Sequence, residues 1–91
     1  MDILVVIDMQ NDFIDGSLGT KEAVGIVDRA AEVMDSFDGA VICTRDTHFA
    51  GYLETSEGRK LPVEHCIEGT NGHALQEKIQ KMAEKKQAVV M

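Results

Sequence analysis

Ile3-Leu4-Val5-Val6-Ile7 is an unbroken aliphatic run, mostly β-branched, and it stops at Asp8. Such a run fits a strand buried on both faces, the usual condition of a strand in a parallel sheet. A second run, Ala40-Val41-Ile42-Cys43-Thr44, is built the same way. Between the two, Thr20 is a good N-cap, and Glu22 falls in the first turn, where the helix dipole favours an acid. Ala23, Val27, Ala30, Met34 and Phe37 then recur in steps of four and three, the apolar stripe of an amphipathic helix, and Gly39 is expected to close it. A third periodic segment starts near His73, with Leu75, Ile79 and Met82 on its stripe and Lys85-Lys86 in its last turn. It leads into Ala88-Val89-Val90-Met91. The order β-α-β-loop-α-β predicts an α/β fold: a parallel sheet with right-handed crossovers and flanking helices in a Rossmann-like three-layer arrangement.

The chain has 91 residues, enough for a single small domain over 1–91. A net charge of −7 argues against nucleic acid or an anionic membrane as partner, since neither finds a basic patch to dock on. Lys78, Lys81, Lys85 and Lys86 are interleaved with Glu77 and Glu84 and read as a solvated helix face. Two cysteines, Cys43 and Cys66, are too few for a disulfide framework, and Met1-Asp2 followed by five apolar residues resembles neither a signal peptide nor a membrane span. A reducing cytoplasm is the expected compartment. The turn after the first strand, Asp8-Met9-Gln10-Asn11-Asp12, contains no glycine, so dinucleotide and P-loop readings are weak.

In an open parallel sheet, ligands gather beyond the carboxyl ends of the strands. Asp8 ends the first strand and Asp46 follows the second. Neighbouring strands lie about 4.8 Å apart, so the two acids share one crevice. If the second strand runs on, its period of two puts Asp46 and His48 on the same face. The stretch from Asp46 to Gly72 is long, polar and aperiodic, a length uncommon in a compact domain unless it is functional. It carries His65 back from the same edge. A carboxylate and two imidazoles make a first shell for a borderline divalent metal, with zinc, iron and manganese all compatible.

Each of these residues also has a plainer reading. Asp8 serves equally as a turn former, and His65 as a satisfied loop histidine. Phe13 either packs under the loop or forms an aromatic wall against a flat substrate. Glu54 and Glu57 are candidate extra oxygen ligands or merely solvated acids. Cys66 beside His65 is a candidate nucleophile, although adjacency in sequence does not put a thiolate on an imidazole that holds a metal. Asp8, Asp12 and Asp46 around magnesium would suit phosphotransfer, but magnesium prefers oxygen and the histidines fit it poorly.

Three segments together carry a resemblance: Val5-Val6-Ile7-Asp8-Met9-Gln10-Asn11-Asp12-Phe13, Thr44-Arg45-Asp46-Thr47-His48, and Leu61 to Gly72 with His65-Cys66 at its centre. They resemble the nicotinamidase branch of the isochorismatase-like cysteine hydrolases, in order from residue 3 to the end of the chain. The resemblance implies half of a six-stranded parallel sheet of order 3-2-1-4-5-6, and hydrolysis of nicotinamide to nicotinate and ammonia through a cysteine thioester. It implies Asp8 as the acid that manages the nucleophile's proton. Asp46, His48 and His65 become metal ligands, most naturally of zinc, with Glu57 or Glu54 as a further ligand. Phe13 becomes the aromatic that packs on the substrate ring of a small amide.

The chain also departs from that pattern. The family's lysine after the third strand and its nucleophilic cysteine at a downstream helix start have no counterpart here. Lys85 and Lys86 precede the third strand, Cys43 and Cys66 stand elsewhere, and Leu61 occupies a place where many nicotinamidases carry Trp. The expectation is therefore a truncated N-terminal half, inactive alone. It would bind metal, and it would be an oligomer or be completed by a missing C-terminal half across an open apolar edge at the first strand. The alternative is a non-catalytic metal-binding half-domain that pairs through that edge.

Overall fold

The computed structural model describes residues 2–91. Three strands, β1 (Ile3–Ile7), β2 (Ala40–Thr44) and β3 (Val89–Val90), form one parallel sheet in the order β1-β2-β3. Four α-helices accompany it: α1 (Asn11–Ile14), α2 (Lys21–Ser36), α3 (Ser56–Lys60) and α4 (Glu77–Lys85). The open parallel sheet with flanking helices is the architecture that the alternation of apolar runs predicts.

The register pairs Leu4 with Val41 and Val6 with Cys43, and β3 joins through Cys43 opposite Val90. These residues share one face of the sheet. Against it pack Met34 of α2 and Ile79 and Ala83 of α4, with Leu75 just before α4, to form the buried core. Lys78 of α4 reaches Asp28 of α2, and Lys85 reaches Asp35 at 2.7 Å, so the two helices are also tied along their exposed sides. Thr20 caps α2 by accepting the Ala23 N–H at 3.0 Å, as its residue type predicts.

Four local expectations need correction. β1 is not buried on both faces: Ile3, Val5 and Ile7 are 53%, 49% and 69% exposed, because α2 and α4 both lie on the other face. An apolar run states which residues favour burial but not which element covers them. α2 ends at Ser36, where Phe37 turns extended, so Gly39 (φ +148°) belongs to the approach to β2 rather than to the helix end. α4 starts at Glu77, not near His73. Gln76 caps it by accepting from Lys78 and Ile79, and Asn71–His73 is a separate 3-10 turn. The long connection is not structureless, since it contains a 3-10 turn at Tyr52–Glu54 and the capped helix α3. Among the described residues no helix is long and apolar enough to cross a membrane.

Candidate metal centre

β1 and β2 both deliver an acid at their carboxyl ends. Asp8 leaves β1 in the left-handed region (φ 52°), a conformation Asp tolerates better than most residues. Thr44, which faces Ile7 across the ladder, holds it there. The Asp8 N–H donates to Thr44 O and to Thr44 Oγ1, and the Thr44 hydroxyl donates to Asp8 Oδ1 at 2.7 Å. A non-glycine residue in this region, held by its neighbours at a strand end, is a common mark of a functional position.

β2 stops at Thr44, two residues before Asp46, yet Asp46 and His48 still meet. His48 is pinned by a parallel bridge to Ile67, with its N–H donating to Cys66 O and its carbonyl accepting from Glu68 N–H. That bridge brings the returning loop, and His65 with it, alongside. Asp46 Oδ2 lies 3.0 Å from His48 Nε2 and 3.4 Å from His65 Nε2. One ligand atom from each of Asp46, His48 and His65 falls within 4.8 Å of the others. Bonds of about 2.0–2.1 Å to a tetrahedral ion set its ligand atoms roughly 3.3 Å apart, so the carboxylate-to-imidazole spacings fit without rearrangement.

His65 is preset for this role. Its Nδ1 lies 2.7 Å from the carbonyl oxygen of Val63. A carbonyl only accepts, so Nδ1 carries the proton, and in the neutral ring Nε2, the atom facing Asp46, has its lone pair free. The ring is buried, whereas the Asp46 side chain is one-third exposed, so the cluster opens to solvent on the carboxylate side.

Aromatic rings wall the imidazoles. Tyr52 packs edge-on to His48 and His65 at centroid distances of 4.6 and 5.1 Å, and Phe13 lies 5.5 Å from His65. Phe13 thus satisfies the packing reading directly. Burial, with Glu57 and then Asp46 adding to it, pushes the Tyr52 hydroxyl up from its usual range. It remains a neutral donor to Leu61 O at 3.0 Å.

Glu57 stands apart from the three clustered ligand atoms. Its carboxylate lies 3.8 Å from His48 Nδ1, the ring nitrogen opposite the one that faces Asp46. Glu54 is exposed on the 3-10 turn. Cys66 is buried, and burial together with the carboxylates of Asp46, Asp12 and Asp8 pushes its thiol up to about 12. A thiol so placed is inert at neutral pH. Cys43 lies in the sheet core, and burial raises its thiol as well.

The model of the isochorismatase domain matches residues 2–91. The chain belongs to the isochorismatase family. A comparison with curated proteins returns no match. Among solved structures, this isochorismatase-family chain is similar to the nicotinamidase of Bacillus subtilis, with 25% identity, a TM-score of 0.82, and coverage of 98% of this chain and 53% of that one. It is similar to the pyrazinamidase of Pyrococcus horikoshii in complex with zinc, with 29% identity, a TM-score of 0.69, and coverage of 97% and 49%. The yeast nicotinamidase bound to the inhibitor nicotinaldehyde shares the fold at 23% identity and a TM-score of 0.79, with coverage of 99% and 55%. The chain therefore spans about half the length of the solved structures it matches.

Two residues of this family member, Gln10 and Tyr52, are fully buried at the site although nothing in their local sequence pattern marks them. Asp12 is a third. Its Oδ2 accepts the Cys66 N–H at 2.8 Å and so fixes the residue next to His65, which itself sits at φ 50°. Gly72 lies over that carboxylate so closely that a Cβ would collide with it.

Proposed function

We propose that these residues form the metal-binding and proton-handling half of a nicotinamidase-like amidohydrolase, one that converts nicotinamide to nicotinate and ammonia. The observation that carries this reading is the cluster of Asp46, His48 and His65, with the His65 tautomer preset to leave Nε2 unprotonated. An oxygen and two imidazole nitrogens suit zinc, with iron and manganese as alternatives. The zinc-bound pyrazinamidase of Pyrococcus horikoshii supports the choice of metal, and nicotinaldehyde in the yeast nicotinamidase supports a small pyridine amide as substrate.

Bound there, the ion would supply a Lewis acid that anchors the ring nitrogen of the substrate or an attached water. The protein's own residues do the rest. Asp46, His48 and His65 hold the ion. Glu57, whose carboxylate lies 3.8 Å from the outer nitrogen of His48, is the candidate further ligand of this reading. Phe13 stacks on the ring. Asp8, with one oxygen fixed by Thr44, holds or releases a proton on the other. No cysteine among residues 2–91 is exposed enough to attack an amide, so the nucleophile of this reading lies outside them.

The test combines metal analysis with an ammonia-release assay. Zinc should bind with a stoichiometry of one ion per chain and be lost in Asp46→Ala and His65→Ala. The 91-residue chain alone should release no ammonia from nicotinamide. Absence of metal binding, or turnover by this chain alone, overturns the reading.

A second reading, a non-catalytic metal-binding half-domain that pairs with another chain through its open sheet edge, draws on β1, an edge strand among the described residues with Ile3, Val5 and Ile7 exposed. It shares the metal site and differs in requiring self-association without any amidase partner.

A further inference from the structure

Gln10 is fully buried one residue ahead of α1, where a side chain ordinarily caps the helix, yet its amide makes no cap there. All three of its hydrogen bonds go elsewhere. Oε1 accepts the Asp46 N–H at 2.8 Å, and Nε2 donates to the Asp46 carbonyl at 2.8 Å and to the His73 carbonyl at 2.8 Å. Asp46 lies beyond the β2 ladder, so its peptide groups are not served by the sheet. A primary amide carries the same donor and acceptor as a peptide group, and the Gln10 side chain takes the place of a neighbouring strand.

Gln10 is itself anchored. Its backbone bridges Leu75, the Asn11 N–H donates to Ala74 O, and the Gln76 N–H donates to Met9 O. His73 extends the grip, because its Nε2 meets Thr47 Oγ1 at 2.8 Å, on the residue between Asp46 and His48. One buried amide therefore locks both backbone polar groups of the residue whose Oδ2 sits between the two imidazoles. An apolar residue of similar size would fill the same space but leave three peptide polar groups unpaired, the His73 carbonyl buried and the two of Asp46 part-buried.

We infer that Gln10 is a positioning residue for the metal centre, holding Asp46 at the spacing from His48 and His65 that an ion requires. The inference rests on the metal-centre reading above and adds the residue that presets it.

Cobalt(II) is the probe, because its visible spectrum reports ligand geometry independently of turnover. Wild type, Gln10→Glu, Gln10→Ala and Thr20→Ala are titrated well below their melting temperatures. Thr20→Ala removes the cap of α2, away from the site, and controls for a general loss of stability. Both Gln10 variants should bind cobalt at least tenfold more weakly, the scale of a lost outer-shell partner, with an altered spectrum. Thr20→Ala should melt lower but bind as wild type does. Gln10 variants with wild-type affinity and spectrum overturn the inference while leaving the metal centre standing. A wild type that binds no cobalt overturns the metal centre, and the inference with it. If neither Gln10 variant folds, amide exchange in the wild type decides. By linkage, zinc should slow exchange of the Asp46 N–H at least tenfold more than that of the Ala23 N–H, and equal slowing overturns the inference.

Discussion

Asp46 Oδ2 and His48 Nε2 lie 3.0 Å apart across a strand end that β2 does not reach, held there by the His48–Ile67 bridge on one side and Gln10 on the other. Ligands preset in this way should make the ion a strong stabiliser. At zinc a hundredfold above its dissociation constant, the folded state gains about 2.7 kcal/mol. In a domain of this size that raises the melting temperature by roughly 10 °C or more. Melting curves with zinc and with EDTA check this, and Asp46→Ala should lose the shift.

Tyr52 separates packing from hydrogen bonding. Tyr52→Phe keeps the edge-on contacts to His48 and His65 and loses only the bond to Leu61 O, which should cost about 0.5–1.5 kcal/mol and leave metal affinity intact. Tyr52→Ala opens a cavity beside both histidines and should cost about 3–5 kcal/mol. It should weaken metal binding as well. Denaturant unfolding paired with cobalt titration distinguishes the two variants.

The exposed face of β1 makes a prediction about association. Ile3, Val5 and Ile7 form an apolar row on an unpaired edge strand, a pairing liability. Val5 is half exposed, so Val5→Lys should leave the fold and metal binding unchanged while shifting any self-association toward monomer. Sedimentation velocity over a range of concentrations reads this directly, and an unchanged distribution would show that the face is not used for pairing.

These residues also mark how far the sequence could be read. Both long strands, the Thr20 cap and the α2 stripe follow from local period and residue type, and the meeting of Asp46, His48 and His65 follows from three ligand types placed at one sheet edge. Gln10 is different. Its partners lie 36 and 63 residues away, and a glutamine in a turn carries no local sign of them. Tyr52 sits in an aperiodic stretch, so no stripe announces its burial. Glu57 was legible as an acid near the histidines, but whether it faces Nε2 or Nδ1 of His48 is set by the path of α3, which periodicity does not encode.

Cys66 supplies a pH dependence whose sign is fixed by its burial. Its ordinary value is 9.0, and burial, helped by the carboxylates of Asp46, Asp12 and Asp8, pushes it up to about 12. The unfolded chain ionises this thiol near the ordinary value, and the folded chain keeps it protonated. Below pH 9 both states hold the proton and the group leaves stability independent of pH. Above it the unfolded state binds fewer protons, so stability falls as pH rises toward 12, by up to about 1.4 kcal/mol per pH unit. Other groups titrate in that window, so the comparison that isolates the thiol is with Cys66→Ala. The metal-free variant should lose less stability than wild type between pH 9 and 11, and native Cys66 should resist iodoacetamide at pH 8 until denaturant is added. Rapid alkylation of the folded chain would show a thiol that is neither buried nor held protonated, and would reopen Cys66 as a nucleophile.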